Sequence, residues 1–122
     1  MDWDKVLEEA HEAAEMAELK EIAIRPENPY ALDCGFAWVT IDGNSPLARF
    51  CRKKMRGYGK GKDNYREAWI KYGDKGYPSG WQWWKPGEFN GQSIRIHEVG
   101  SRAFRDVLAN YGYAATVGSR LD

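Results

Sequence analysis

Cysteine is scarce: Cys34 and Cys51 are the only two in 122 residues. Two thiols cannot build a disulfide scaffold or a four-thiolate zinc site. No apolar run approaches the roughly 18 residues that a membrane span needs. No basic stretch followed by an apolar one opens the chain, so a signal peptide is not expected. Histidine is equally scarce, with only His11 and His97, and no HExxH spacing exists. A GxSxG nucleophile elbow and a Walker A loop are also missing. Net charge is absent too: 18 Lys and Arg balance 18 Asp and Glu. These absences point away from zinc hydrolases, serine hydrolases and P-loop enzymes, and toward a cytosolic domain with reduced thiols.

What is present is apolar and aromatic. Hydrophobic residues make up 43% of the chain and aromatic ones 14%, with six Trp. That is enough apolar surface to offset chain entropy, so global disorder is not expected. The length fits one domain, 1–122, with a helix and connector over 1–30 and a core over 31–122. The zero net charge hides a segregation. Residues 1–30 hold nine acids and three bases, a net −6, and residues 49–75 hold ten bases and three acids, a net +7. Such asymmetry bears on partners and self-association rather than on fold.

Residues 3–21 read as an amphipathic helix, with Trp3, Val6, Leu7, Ala10, Ala14 and Ala17 at helical spacing. Asp2 or Asp4 is placed to cap it, and Pro26 and Pro29 end it within a connector over 25–32. Its stripe is mostly Ala, which suits packing on a surface or another subunit. Cys34 to Ile41 is nearly continuous in apolar residues and reads as a strand buried on both faces. After the turn Asp42-Gly43-Asn44, Ser45 and Pro46 form a helix start. Leu47, Phe50, Cys51 and Met55 then share one face, against Arg49, Arg52, Lys53, Lys54 and Arg56. Residues 57–64 are a glycine-rich basic loop. Tyr65 to Tyr72 reads as a twisted strand, with a helical turn as the alternative, and 73–80 as a turn region. Trp81 to Trp84 is a strand by aromatic content. A helix from Ser93 or Ile96 to Tyr111, capped by Gly112, and a strand over 113–117 complete the pattern. The order strand, helix, strand, strand, helix, strand predicts an α+β fold of the ferredoxin-like split βαβ type (βαββαβ), with the N-terminal helix added outside that unit.

The residues that carry chemistry are few. His11 lies among Glu8, Glu12 and Glu15; a metal reading would pair it with Glu15, and the plainer reading is a solvated polar face. His97 and Glu98 are adjacent on a helix, so their side chains diverge by about 100° and cannot form a dyad. Cys34 and Cys51 read as core residues rather than nucleophiles. The loop Gly57-Tyr58-Gly59-Lys60-Gly61-Lys62 lacks the Gly-Lys-Ser/Thr ending of a phosphate loop, although its backbone N–H groups and lysines suit phosphate. The most unusual feature is aromatic: Trp69, Tyr72, Tyr77, Trp81, Trp83 and Trp84 lie close together. Trp81 and Trp83 point to one side of their strand, and Gln82 and Trp84 to the other. Aromatic rings beside Lys and Arg suit stacking on nucleobases, a protein interface, or simply a core. The tail Gly118-Ser119-Arg120-Leu121-Asp122 reads as frayed, or as bringing the Arg120 fork to a sheet edge.

Two stretches, 34–54 and 90–122, carry a resemblance through Cys34 to Val39, Asn44, Ser45, Ala48, Gln92, Ser93 and Ser119 to Asp122. They resemble a family of small uncharacterised tailed-phage proteins with a Cys-Gly-Phe-Ala-Trp-Val strand, an Asn-Gln-Ser helix and a terminal Ser-Arg-Met/Leu-Asp. Residues 57–88 fall outside the resemblance, and Gly91 after Asn90 departs from its pattern. The resemblance implies a phage protein acting in the host cytoplasm and carries no activity with it.

The expectation is therefore a non-enzymatic binding protein, with no catalytic residue, metal or cofactor. By analogy with phage counter-defence proteins, it would sequester a phosphate-bearing nucleotide signal of the cyclic nucleotide or cyclic ADP-ribose type, as a homo-oligomer. Trp83 or Trp84 would stack on a base, Arg56, Lys60 and Arg120 would take phosphates, and Asn90 and Gln92 would read edges. The alternatives are a protein–protein inhibitor of a host factor and a single-stranded nucleic-acid-binding protein.

Overall fold

A computed structural model describes residues 1–24, 34–59, 61, 63–77, 79–91 and 93–121. Helix α1 spans Trp3–Ala23 and is capped by Asp2, whose carboxylate accepts the Lys5 N–H at 3.2 Å. Strand β1 follows at Gly35–Ile41 and helix α2 at Pro46–Arg56, where the Ser45 hydroxyl accepts the Ala48 N–H at 3.2 Å. The expected connector over 25–32 lies outside the described residues.

Tyr65–Tyr72 is helix α3, which corrects the strand expected there. The reason is local and tertiary together. Arg, Glu, Ala and Lys favour helix, and Ala68 and Tyr72, four apart, bury one face. The last-turn carbonyls of Lys71 and Tyr72 then accept the indole N–H groups of Trp83 (3.0 Å) and Trp81 (2.6 Å). Asn64 at φ 67° and Gly73 at φ 81° bracket the helix in left-handed backbone.

The second strand is displaced to Asp74–Lys75 (β2), followed by Trp81–Trp84 (β3). Helix α4 runs Ile94–Asn110 and ends at Gly112, which adopts φ 89° as the expected C-terminal glycine. Strand β4 spans Ala115–Leu121. It is longer than expected, and the supposed tail pairs with β1 to its end, Gly35 opposite Leu121.

The described strands form one sheet in the order β2-β3-β1-β4, with every neighbouring pair antiparallel. The protein is thus α+β, a four-stranded antiparallel sheet with four helices among the described residues. Val39, Ile41, Trp81 and Trp83 join Leu47, Cys51, Phe104 and Leu108 in the core. Strand β1 is not buried on both faces: Gly35, Ala37, Val39 and Ile41 are buried, while Phe36, Trp38 and Thr40 between them are half-exposed.

Helix α1 is no outer addition. Val6, Leu7, Ala10 and Ala14 belong to the same core, and the helix packs along α4, where its alanines allow close approach. Its acids also meet the basic segment inside the chain. Lys71 Nζ lies 3.2 Å from Asp4 and 3.4 Å from Glu8, and Lys54 Nζ lies 3.9 Å from Asp4.

Candidate functional site

Residues directly opposite in an antiparallel pair share a face. The register pairs Trp38 with Trp84 and Gly118, Thr40 with Gln82 and Thr116, and Phe36 with Arg120. These residues therefore form the sheet face turned away from the core. Trp38 and Trp84 lie with ring centroids 4.8 Å apart and planes inclined at 39°. Trp38 lies flat over β4 because position 118 is glycine; a Cβ there would stand 2.6 Å from the indole. Phe36 meets Trp84 at 6.4 Å, and Arg120 stands exposed opposite Phe36.

At the other end of this face, past Thr40 and Thr116, opens a cleft of about 1070 Å³ lined also by Asp42, Arg52, Lys75 and Ser79. Arg52 is held at its wall: Nη2 donates to the Gly43 carbonyl at 2.8 Å, and the guanidinium lies 5.4 Å from the Trp81 ring centroid. A smaller cleft of about 50 Å³ lies beside Trp84, between Arg66, Trp69, Lys85 and Asn90. There the chain leaves the sheet through Lys85 at φ 46°, whose N–H donates to the Ala37 carbonyl at 3.2 Å.

Comparison with family models, curated proteins and solved structures found no match to this chain. The site therefore stands on its own geometry.

Of the expected ligand residues, Trp84 and Arg120 share the open face and Asn90 joins Trp84 at the smaller cleft. Trp83 is a correction. It is 1% exposed, donates to the Lys71 carbonyl and packs on Phe104 at 5.1 Å, so it has no face for a ligand. Arg56 is exposed at the end of α2, a helix that packs on α3 and not on the open face. Lys60 and Gln92 lie outside the described residues. Sequence reading missed Trp38, Phe36 and Arg52. The alternation in Cys34 to Ile41 was the available signal: the aromatic Phe36 and Trp38 and the hydroxyl-bearing Thr40 occupy every second position.

The titratable groups sit elsewhere. His11 is not solvated: Nδ1 lies 2.9 Å from the Pro86 carbonyl and Nε2 3.2 Å from the Lys71 carbonyl. Burial lowers its pKa against the pull of those carbonyls. Glu8, Glu12, Glu15, Glu67 and Glu88 surround the groove beside it, yet no group of three or more potential ligands among the described residues could hold a metal ion. His97 and Glu98 diverge as helical spacing requires. His97 Nε2 lies 2.8 Å from the Gly91 carbonyl, and Glu98 accepts the Ser119 hydroxyl at 2.8 Å.

Cys51 is buried, and burial pushes its thiol up to about 12; Cys34, expected in the core, is exposed beside Ser93. Glu18 is 2% exposed between Gly87 and Gly100, where a Cβ on either glycine would overlap its carboxyl. Burial pushes Glu18 up to about 8, against the Phe89 backbone hydrogen bond that lowers it. Its Oε2, together with Ser93 Oγ, His97 Nδ1 and Ser101 Oγ, is buried with no hydrogen-bond partner among the described residues.

Proposed function

We propose that this chain is a non-enzymatic binding protein that takes a phosphate-bearing nucleotide on the open face of its sheet. The observation that supports this most directly is the Trp38–Trp84 pair at 4.8 Å on a face that also carries Arg120. A nucleobase gains by stacking on indole, and a guanidinium fork suits a phosphate. Trp84 and Arg120 are retained from the sequence reading, Trp38 replaces Trp83, and Asn90 is placed to reach a base edge from the smaller cleft. The reading assigns no catalytic step.

The strand order β4-β1-β3-β2 in an antiparallel sheet, with helices in the β1–β2 and β3–β4 connections, fits the ferredoxin-like split βαβ type. In this reading β2 has shrunk to two residues and α3 fills the space that remains. The resemblance carried by Cys34 to Val39 and Ser119 to Asp122 supports a phage protein of the host cytoplasm, and a counter-defence role through sequestration enters by analogy alone. Small ligands are usually enclosed. The open face is not, so sequestration of a small nucleotide entails a second copy laid over it.

Tryptophan fluorescence titrated with cyclic nucleotides, cyclic ADP-ribose and nucleoside monophosphates tests the reading. At least one is expected to quench, and Trp84→Ala is expected to weaken its binding tenfold or more, about the worth of one stacked base. Binding that survives Trp84→Ala and Trp38→Ala unchanged, or no binding by any of them, overturns it.

A further inference from the structure

Resting on the nucleotide reading of this face, but not on its closure by a second copy, we propose that the ligand of the open face is a single strand of nucleic acid. The strand would lie along β1 from Arg120 to the cleft between Arg52 and Lys75. The chemistry along β1 comes in an order that a strand would meet in turn. Arg120 stands opposite Phe36, then come Trp38 and Trp84, then Thr40, Gln82 and Thr116, and last the cleft with its two cations.

From Phe36 to Ile41 is five residues of strand, about 17 Å at the usual rise. One nucleotide cannot put a base on the indoles and phosphates at both ends of that distance. A short strand of about two or three nucleotides can, as on other four-stranded sheets that stack bases on exposed aromatic residues.

The lack of enclosure follows the same logic. A single mononucleotide needs walls, whereas a strand is held at successive points by cations and stacking. Charge supports an anionic occupant. Arg52, Lys75 and Arg120 outnumber the two carboxylates of the track, Asp42 and Asp74, each of which accepts N–H donors. Asp42 accepts the Asn44 N–H at 2.9 Å, and Asp74 accepts the Trp69 indole at 3.0 Å and the Lys75 N–H at 2.7 Å. The Thr40 and Thr116 hydroxyls between the two ends can hydrogen-bond to base edges or sugar oxygens, while the Gln82 amide beside them is buried.

The test compares thymidine monophosphate with a thymidylate tetramer by tryptophan fluorescence and calorimetry. The tetramer is expected to bind about tenfold tighter or more, because it adds a second stacked base and a second anchored phosphate. Its affinity should fall with salt at a log–log slope of about −1.4 to −2.1, corresponding to two or three phosphates. Lys75→Ala should weaken the tetramer severalfold and leave the monophosphate unchanged. Arg52→Gln should do the same, and Lys75, exposed on the edge strand opposite Trp81, serves where Arg52 substitution disturbs the turn. Equal affinity for monophosphate and tetramer, or tetramer binding indifferent to both substitutions, overturns the strand and leaves the nucleotide reading standing. Binding of neither probe overturns the strand, while the nucleotide reading stands or falls separately with cyclic nucleotides and cyclic ADP-ribose.

Discussion

Glu18 is the residue whose chemistry sets the clearest pH dependence. Its carboxyl is buried between α1 and α4, with one oxygen unpartnered among the described residues, and burial holds its pKa at about 8 against an ordinary value of 4.5. A raised acid favours the protonated folded state. The contribution is therefore fully present below about 4.5 and is lost as pH rises toward 8, at up to about 1.4 kcal/mol per pH unit. The charged groups around it do not cancel this. Glu15 and Glu88 raise the pKa, and Lys85 lowers it only as the smallest influence. His11 and His97 are both lowered by burial, so their contribution has the opposite sign and is lost as pH falls below their ordinary 6.5. Above that value Glu18 acts without them. Glu18→Gln is expected to flatten the dependence of Tm on pH between about 6.5 and about 8, leaving the variant the more stable protein at the alkaline end. Thermal melts of both proteins across that range check it, and parallel curves would contradict it.

The same scale explains what could be read before the fold was known. Helix caps were legible, since Asp2, Ser45 and Gly112 act through their immediate neighbours. Trp83 against Trp84 was not. Alternation separates the two indoles to opposite faces, but only the carbonyl of Lys71, twelve residues back, decides which one is taken into the core.

At the scale of elements, Gly118 ties β4 to the candidate site. The glycine is not required by its backbone, which lies outside the left-handed region. It is required by the Trp38 indole that lies on it. Gly118→Ala is expected to lift that ring without unfolding β4, because Trp38 faces away from the core and has room to move. The near-UV circular dichroism of the Trp pair should change and nucleotide affinity should fall severalfold, with stability lowered by no more than about 1–3 kcal/mol. Affinity unchanged by Gly118→Ala would show that the flat Trp38 ring is not part of the binding surface.

Elements also show where sequence reasoning failed. Tyr65 to Tyr72 carries three aromatic residues in eight, which suggested strand, yet its other residues favour helix and its last-turn carbonyls are claimed by two distant indoles. Strand β4 ran longer than its apolar stretch because β1 supplies a partner for every residue through Leu121. Neither fact is local. Both follow from pairings across nine residues of chain or more, which a pattern of apolar spacing does not encode.

For the molecule as a whole, the balanced charge and the thin alanine stripe of α1 turn out to be one arrangement. The acidic helix does not wait for another subunit. Its stripe closes on α4, and its acids reach Lys54 and Lys71 of the basic half, with the Tyr72 hydroxyl donating to Asp4 at 2.7 Å. These ion pairs are surface contacts worth little individually. The apolar contribution is larger: Val6 and Leu7 are at most 1% exposed, and burying side chains of that size contributes about 1.5–3 kcal/mol each. Removing α1 would also uncover Phe104 and Leu108, both fully buried, and take away His11, whose ring centroid lies 4.9 Å from that of Phe104. The sum rivals the whole stability of a domain, about 5–15 kcal/mol. A chain lacking residues 1–24 is therefore expected to lose its cooperative thermal transition and its near-UV signal, even though the sheet and its three remaining helices keep their sequence intact. Melting that chain by circular dichroism decides the matter. A cooperative transition within a few degrees of the full-length protein would mean that α1 is an accessory, and that the sheet with α2, α3 and α4 forms a complete core on its own.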